Sequence, residues 1–265
     1  MNTNAWLLDI GNTRIKWCSV DRGVYKTGSV LRYTDFSLSE LIQSMQDISG
    51  RPDKVYLASV ASTKFVQDLR EKLIESFNIA PLLIISKHKE AGIVNGYDEP
   101  EKLGVDRWLA IIAAYNLEQS CVIVVDAGTA LTVDYVDSKG QHHGGLIAPG
   151  LTMMRQMLMN KTARIEFNLN SQKGFTGHTV ETNTQDAISS GTLRMMASFI
   201  NAEVERLSRS SEDKVKLYLT GGDAQLLLQL LDDDWVYEPN LVLLGMYHVV
   251  SELPSEEIKC DLAAD

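Results

Sequence analysis

The strongest constraint on this chain is a unit that it carries twice. Asp9-Ile10-Gly11-Asn12-Thr13 follows an apolar run over residues 5–8 and precedes a strand-like run over 15–20. Asp126-Ala127-Gly128-Thr129-Ala130 follows an apolar run over 121–125 and precedes another over 131–135. Short apolar runs rich in β-branched residues and bounded by turn chemistry read as strands. Each copy is therefore a buried strand, an acidic residue, a glycine turn with a hydroxyl residue, and a returning strand. Glycine lets a bound group approach the backbone, and its N–H can donate to an anion. The aspartate repels a phosphate but can hold a cation that binds one. One D-x-G-x-T alone is an ordinary turn. Two in matched contexts, one near the start of each half, predict related α/β domains whose hairpins face a nucleotide-phosphate cleft.

With 265 residues the chain can bury one large core or two of ordinary size. Its formal charge of −10 argues against nucleic-acid and anionic-membrane partners. Anionic substrates stay open, because local cations and backbone donors can dominate a cleft. Cys18, Cys121 and Cys260 are far apart and lack metal-ligand spacing, so they read as reduced, structural thiols. The first ten residues have no basic stretch leading into a long apolar one, and no run approaches a membrane span, which predicts a cytoplasmic protein. The absence of G-x-x-x-x-G-K-[ST] excludes a P-loop.

Hydrophobic spacing predicts strands over 6–10, 14–20, 55–60 and 81–85, helices over 36–48, 64–77 and 105–118, and an exposed loop over 89–103. In the second half it predicts strands over 121–126, 131–136, 145–147, 216–220 and 241–244. Helices are predicted there over 151–158, 184–207 and 224–231. The restart of strands at Cys121 places the expected boundary between domains 1–118 and 119–265. The polar tail from Ser251 is expected to fray in part. Adjacent His142 and His143 would point to opposite faces of a strand and read as exposed turn residues rather than as metal ligands.

Further motifs extend the pattern along the chain. Gly96-Tyr97 with Pro100 leads into Leu103-Gly104-Val105-Asp106-Arg107. Thr132 follows the second hairpin, and then come Gly144-Gly145-Leu146-Ile147-Ala148-Pro149-Gly150 and Thr220-Gly221-Gly222-Asp223. In this order and spacing the chain resembles the type III pantothenate kinases, members of the superfamily of actin, sugar kinases and acetate kinase. The resemblance implies two duplicated ribonuclease-H-like (actin-like ATPase) domains with an interdomain cleft, and a homodimer. It also implies transfer of the ATP γ-phosphate to pantothenate, giving 4′-phosphopantothenate in the first step of coenzyme A biosynthesis. Mg²⁺ and a monovalent cation, K⁺ or NH₄⁺, are implied with it.

The same resemblance assigns roles. The stretch Asp9, Ile10, Gly11, Asn12, Thr13, Arg14, Ile15 and Lys16 would hold ATP phosphates, with Asp9 ordering Mg²⁺. Lys16 reads equally well as a solvated strand lysine. Asp106 is the candidate base, since a helix N-terminus favours a carboxylate and a loose transition state needs only a weak base. Taken alone it would be a helix cap. Arg107 would grip the substrate carboxylate through two hydrogen bonds, or else form a surface pair with Glu101. Tyr97, Gly104 and Val105 would complete the pantothenate site. Thr184 would reach it across the dimer interface, although by itself it reads as a helix N-cap. Asp126 would hold the monovalent cation, and Thr129 would contact ATP. Gly144, Gly145, Pro149 and Gly150 read as a tight turn lining the cleft, and Gly221 and Gly222 as a place for adenosine to meet backbone. Two alternatives stand beside this reading: another small-molecule phosphotransferase on the same scaffold, or a regulatory protein that binds ATP without turnover.

Overall fold

The opening run Ala5, Trp6, Leu7 and Leu8 is buried on both faces of its pleat, as a central strand of a covered sheet must be. The computed structural model describes residues 4–32, 36–161, 168, 180–209, 211, 213–232 and 234–252, and it places that run in β1 (Asn4–Ile10). On one side β1 pairs antiparallel with β2 (Arg14–Asp21), which pairs antiparallel with β3 (Val24–Arg32). On the other side it pairs parallel with β4 (Lys54–Ser59), and β4 pairs parallel with β5 (Leu82–Leu83). The parallel connections run through α1 (Leu38–Ser49) and α2 (Thr63–Phe77). A capping box starts α1, with the Ser37 side chain accepting from the Glu40 N–H and the Glu40 side chain accepting from the Ser37 N–H. Leu41, Ile42 and Met45 of α1 and Leu69 and Leu73 of α2 close over Trp6, Leu8, Trp17 and Leu57.

After the short strands β6 (Lys89–Glu90) and β7 (Ile93–Val94) and helix α3 (Val105–Glu118), the same plan recurs. β8 (Val122–Ala127) pairs antiparallel with β9 (Ala130–Val136), and β9 with β10 (His142–Pro149). After α4 (Leu151–Lys161) and α5 (Thr184–Arg209), β11 (Lys216–Thr220) pairs parallel with β8. Past α6 (Ala224–Leu227), β12 (Trp235–Tyr237) pairs parallel with β11. The two sheets thus have the orders β3-β2-β1-β4-β5 and β10-β9-β8-β11-β12. Three antiparallel strands followed by two parallel ones, in the same order twice, is the duplicated ribonuclease-H-like arrangement that the resemblance implied. The second core gathers Ile123, Val125 and Val133 from the sheet with Leu193, Met196 and Ile200 from α5.

The structure revises several expectations. Residues 241–244 are not a strand but the start of α7 (Leu241–Glu252). Its apolar run continues almost unbroken to Val250, a length that favours a buried helix. The 89–103 segment is not an exposed loop: it carries β6, β7 and a 3₁₀ turn at Pro100–Lys102, and buries Ala91, Ile93, Asn95 and Leu103. β3 and β12 were not expected. Gly144 to Pro149 belong to β10, with a register shift between His142 and Gly145, rather than to a tight turn. His142 is fully buried instead of exposed, while its neighbour His143 is half-exposed and bonded to Asp137.

The chain divides into two compact units, but not linearly at residue 118. Residues up to Gly92, Tyr97–Asn116 and α7 form one unit; Ile93–Gly96 and Leu117–Pro239 form the other. Cys18 and Cys121 are buried free thiols, and burial pushes the Cys18 thiol up to about 12. Cys260 and the tail from residue 253 lie outside the described residues. Among the described residues no helix is long and apolar enough to cross a membrane.

Candidate active site

The first hairpin is built by its buried ends. Ile10 and Ile15, both in the core, form the last pair of the β1–β2 ladder, and the Gly11 N–H closes the turn on the Arg14 carbonyl at 3.0 Å. Asn12, Thr13 and Arg14 are held outward and exposed. One pair back from the turn, Asp9 stands directly opposite Lys16, both half-buried. Directly opposed cross-strand residues share a face of the sheet, so a carboxylate and an ammonium lie side by side beneath the turn.

In the same unit, the sequence-selected residues around Asp106 come together at the start of α3. Arg107 is 6% exposed, and so is not the solvated surface residue of the alternative reading. Its Nη1 donates to the Tyr97 hydroxyl at 2.6 Å, and its central carbon lies 5.5 Å from the centre of the Tyr97 ring. A cation over an aromatic face is further stabilised by the ring quadrupole. Asp106 Oδ1 accepts from the Arg107 N–H at 2.8 Å. Gly104 gives that carboxylate room: a β-carbon there would come within 2.6 Å of Oδ1. Val105 is buried and starts the helix, while the Ser86 hydroxyl donates to the Leu103 carbonyl at 2.7 Å and fixes the approach.

The second unit builds its hairpin differently. Asp126 lies opposite Thr132 on β9 and Thr220 on β11. The Gly128 N–H closes a shorter turn on the Ala130 carbonyl at 3.0 Å, leaving Thr129 exposed. Two further backbone segments press on this turn. Gly221, at a positive φ of 98°, approaches so closely that a β-carbon would sit 2.4 Å from the Ala127 carbonyl and from Asp126 Oδ1. Gly150 donates to the Thr129 carbonyl at 3.2 Å, and a β-carbon there would meet the Gly128 carbonyl at 2.3 Å. A carboxylate flanked by two threonines and backbone carbonyls is an all-oxygen donor set, which suits a hard cation. Among the described residues no three His, Cys, Asp or Glu side chains cluster as a metal site. A Mg²⁺ ion held by one carboxylate, water and substrate phosphates needs no such cluster.

The sequence model of the type III pantothenate kinases matches residues 6–206. The chain belongs to the type III pantothenate kinase family. It is 31% identical to the type III pantothenate kinase of Nitrosococcus oceani over 97% of both chains. With that of Hydrogenovibrio crunogenus it is 34% identical over 92% of this chain and 98% of the relative. Among solved structures, a Campylobacter jejuni protein described as a Baf family transcriptional activator superposes with a TM-score of 0.54 at 23% identity. That match covers 93% of this chain and 98% of the other, and shows the fold alone.

In this member of the type III pantothenate kinase family, Thr184 is the first residue of α5, but the cap is Asn183, whose Oδ1 accepts from the Asp186 N–H at 2.9 Å. Thr184 is exposed at the margin of an open apolar groove of roughly 1170 Å³ between α4 and α5, lined by Met153, Met154, Met157, Ile188 and Met195. Two features escaped the sequence reading. Arg155, in the Met-rich α4, is buried; its Nε donates to the Thr192 hydroxyl at 3.1 Å and its Nη2 to the Ser189 carbonyl at 3.2 Å. Burial lowers its pKa, and the negative charge of Asp223, next to the Gly221-Gly222 turn, opposes the shift. The other is Asp134, buried on β9, whose Oδ1 lies 3.0 Å from His142 Nε2. Strict alternation along β10 was the available signal for His142, since an outward His143 requires an inward neighbour.

Proposed function

We propose that this chain transfers the γ-phosphate of ATP to pantothenate, giving 4′-phosphopantothenate for coenzyme A biosynthesis, in the cytoplasm. One observation carries the reading: in a member of the type III pantothenate kinase family, Asp106 and a desolvated Arg107 braced by Tyr97 sit together at the start of one helix. Arg107 grips the pantothenate carboxylate, with its side chain already oriented by the Tyr97 hydroxyl and ring. Asp106 accepts the hydroxyl proton as the oxygen–phosphorus bond forms. Gly11, Asn12 and Thr13 offer donors to the ATP phosphates, and Lys16 adds positive charge one strand away from Asp9.

Asp9 holds Mg²⁺ together with the phosphates, and Asp126 with Thr132 and Thr220 holds K⁺ or NH₄⁺. Bound there, these ions supply positive charge against the spread negative charge of a loose transition state. The apolar groove beside Thr184 supports a homodimer, in which Thr184 serves the partner's pantothenate.

The test is ADP release by the purified protein with ATP, Mg²⁺ and pantothenate. Turnover is expected to require pantothenate and to rise when Na⁺ is replaced by K⁺. Asp106→Asn is expected to keep the fold and lose about 10²- to 10⁴-fold in kcat, the range for a positioned base. A near-normal rate in that variant would remove Asp106 from the chemistry, and no turnover with pantothenate would overturn the reading itself.

A further inference from the structure

The segment Ile93–Gly96 belongs to the second unit although the residues on either side of it, up to Gly92 and from Tyr97, belong to the first. Its attachments explain why. Val94 forms a parallel bridge with Gln141; its N–H donates to the Gly140 carbonyl at 2.9 Å, and its carbonyl accepts from Gln141 Nε2 at 3.4 Å. Gly96 packs on the start of β10 so tightly that a β-carbon would fall 1.9 Å from the His142 carbonyl. The Gly96 N–H points at His142 Nδ1, 3.5 Å away. The very next residue is Tyr97, whose hydroxyl orients Arg107 at 2.6 Å.

A backbone N–H can only donate, so the Nδ1 that faces Gly96 is the acceptor. The ring proton is then on Nε2, aimed at Asp134 Oδ1 at 3.0 Å. Asp134 and His142 are 2% and 0% exposed. A buried carboxylate that selects one tautomer of a buried imidazole is a costly arrangement to maintain for packing alone. Among its contacts is an acceptor presented to the Gly96 amide, which precedes Tyr97.

We propose that Asp134 and His142 are positioning residues: by fixing the tautomer that holds Gly96, they set the place of Tyr97 and, through it, of Arg107. This rests on the reading that Tyr97 and Arg107 bind pantothenate. Neither Asp134 nor His142 touches substrate; they act on the strap that leads to the residues that do.

Two substitutions separate the halves of the device. In His142→Gln, Nε2 of the new side chain can still donate to Asp134, but Gly96 loses its acceptor. In His142→Asn, Oδ1 can replace Nδ1 as acceptor for Gly96, and Asp134 loses its donor. The glutamine variant is expected to speed hydrogen exchange at the Gly96 amide and raise the pantothenate KM by roughly tenfold, the size of one unsatisfied buried donor. Its ATP KM should stay within about twofold, below the scale of one hydrogen bond. The asparagine variant is expected to melt earlier but to keep a near-normal pantothenate KM. Gly96→Ala, which pushes the strap off β10 with the Asp134–His142 pair intact, should reproduce the KM effect should both histidine variants fold poorly. Equal pantothenate KM values in the glutamine variant, in Gly96→Ala and in the unaltered protein would overturn the proposal, as would equal KM increases in the glutamine and asparagine variants. Gly96 exchange is read without substrate, so unchanged exchange in the glutamine variant refutes the anchor even if pantothenate proves not to be the substrate.

Discussion

The two hairpins share a sheet position, a strand order and an opening aspartate, yet they are finished in opposite ways. In the first, residues 11–14 span the turn between the paired Ile10 and Ile15, and three of the four are exposed. Asp9 has a lysine opposite it. In the second, the turn between Ala127 and Leu131 is one residue shorter and is clasped by the backbones of Gly150 and Gly221. Asp126 has threonines on both sides. The first turn therefore offers donors outward above a pair of opposite charges. The second sets its carboxylate among oxygen atoms, the surroundings on which the proposed cation site rests. Duplication supplied one scaffold; the residue opposite each aspartate and the crowding of each turn decide what the copy can do.

The sharpest way to break the comparison is to add one methyl group to the clasp of the second turn. Gly221→Ala places a β-carbon against the Ala127 carbonyl at a φ that side chains rarely adopt. Backbone strain and overpacking together are expected to cost about 3 kcal/mol. That would lower the melting temperature of the second unit by roughly 10 °C in calorimetry. A variant that melts with the unaltered protein would mean that the clasp yields easily, and the contrast between the hairpins would lose its physical basis.

Next in size is the division of labour between the aspartates. Asp126→Ala should make turnover the same in K⁺ and in Na⁺ while leaving a measurable rate. If Asp9 orders Mg²⁺ on the phosphates, as proposed, Asp9→Ala should remove most turnover in both salts. If Asp126→Ala keeps its K⁺ response, the cation sits elsewhere and the two threonines opposite it have another use.

Much of this was legible in the sequence, because the hairpins, α3 and β11 write their spacing plainly. The Val105–Glu118 helix and the Lys216–Thr220 strand fall where periodicity places them. What stayed hidden depends on packing at a distance. The run from Leu241 is apolar on every side, so it shows neither a strand nor a helix period, and only its burial against the first unit settles it as α7. His142 reads like its exposed neighbour because nothing local announces that the Asp134 carboxylate, eight residues earlier, meets its ring. The crowding at Gly221 is equally invisible, being a meeting of segments almost a hundred residues apart. Local motifs point to the candidate residues for the chemistry, and tertiary contacts show what packs around them.

The smallest expected effect is the most discriminating for the first hairpin. A β-carbon at Gly11 would lie 3.4 Å from the Arg14 carbonyl, ordinary van der Waals contact, with no positive φ demanded of it. Replacing a glycine at a compatible position restricts the unfolded chain and stabilises by about 0.4–1 kcal/mol. Gly11→Ala should thus melt within about 2 °C of the unaltered protein or slightly above it. Glycine is not needed there for folding, so any functional cost must come from what approaches it from outside. If ATP phosphates pack against the Gly11 backbone, the added methyl raises the ATP KM several-fold and leaves the pantothenate KM alone. Should both constants stay unchanged, the phosphates do not lie on this turn, and the outward donors of Asn12 and Thr13 serve some other group.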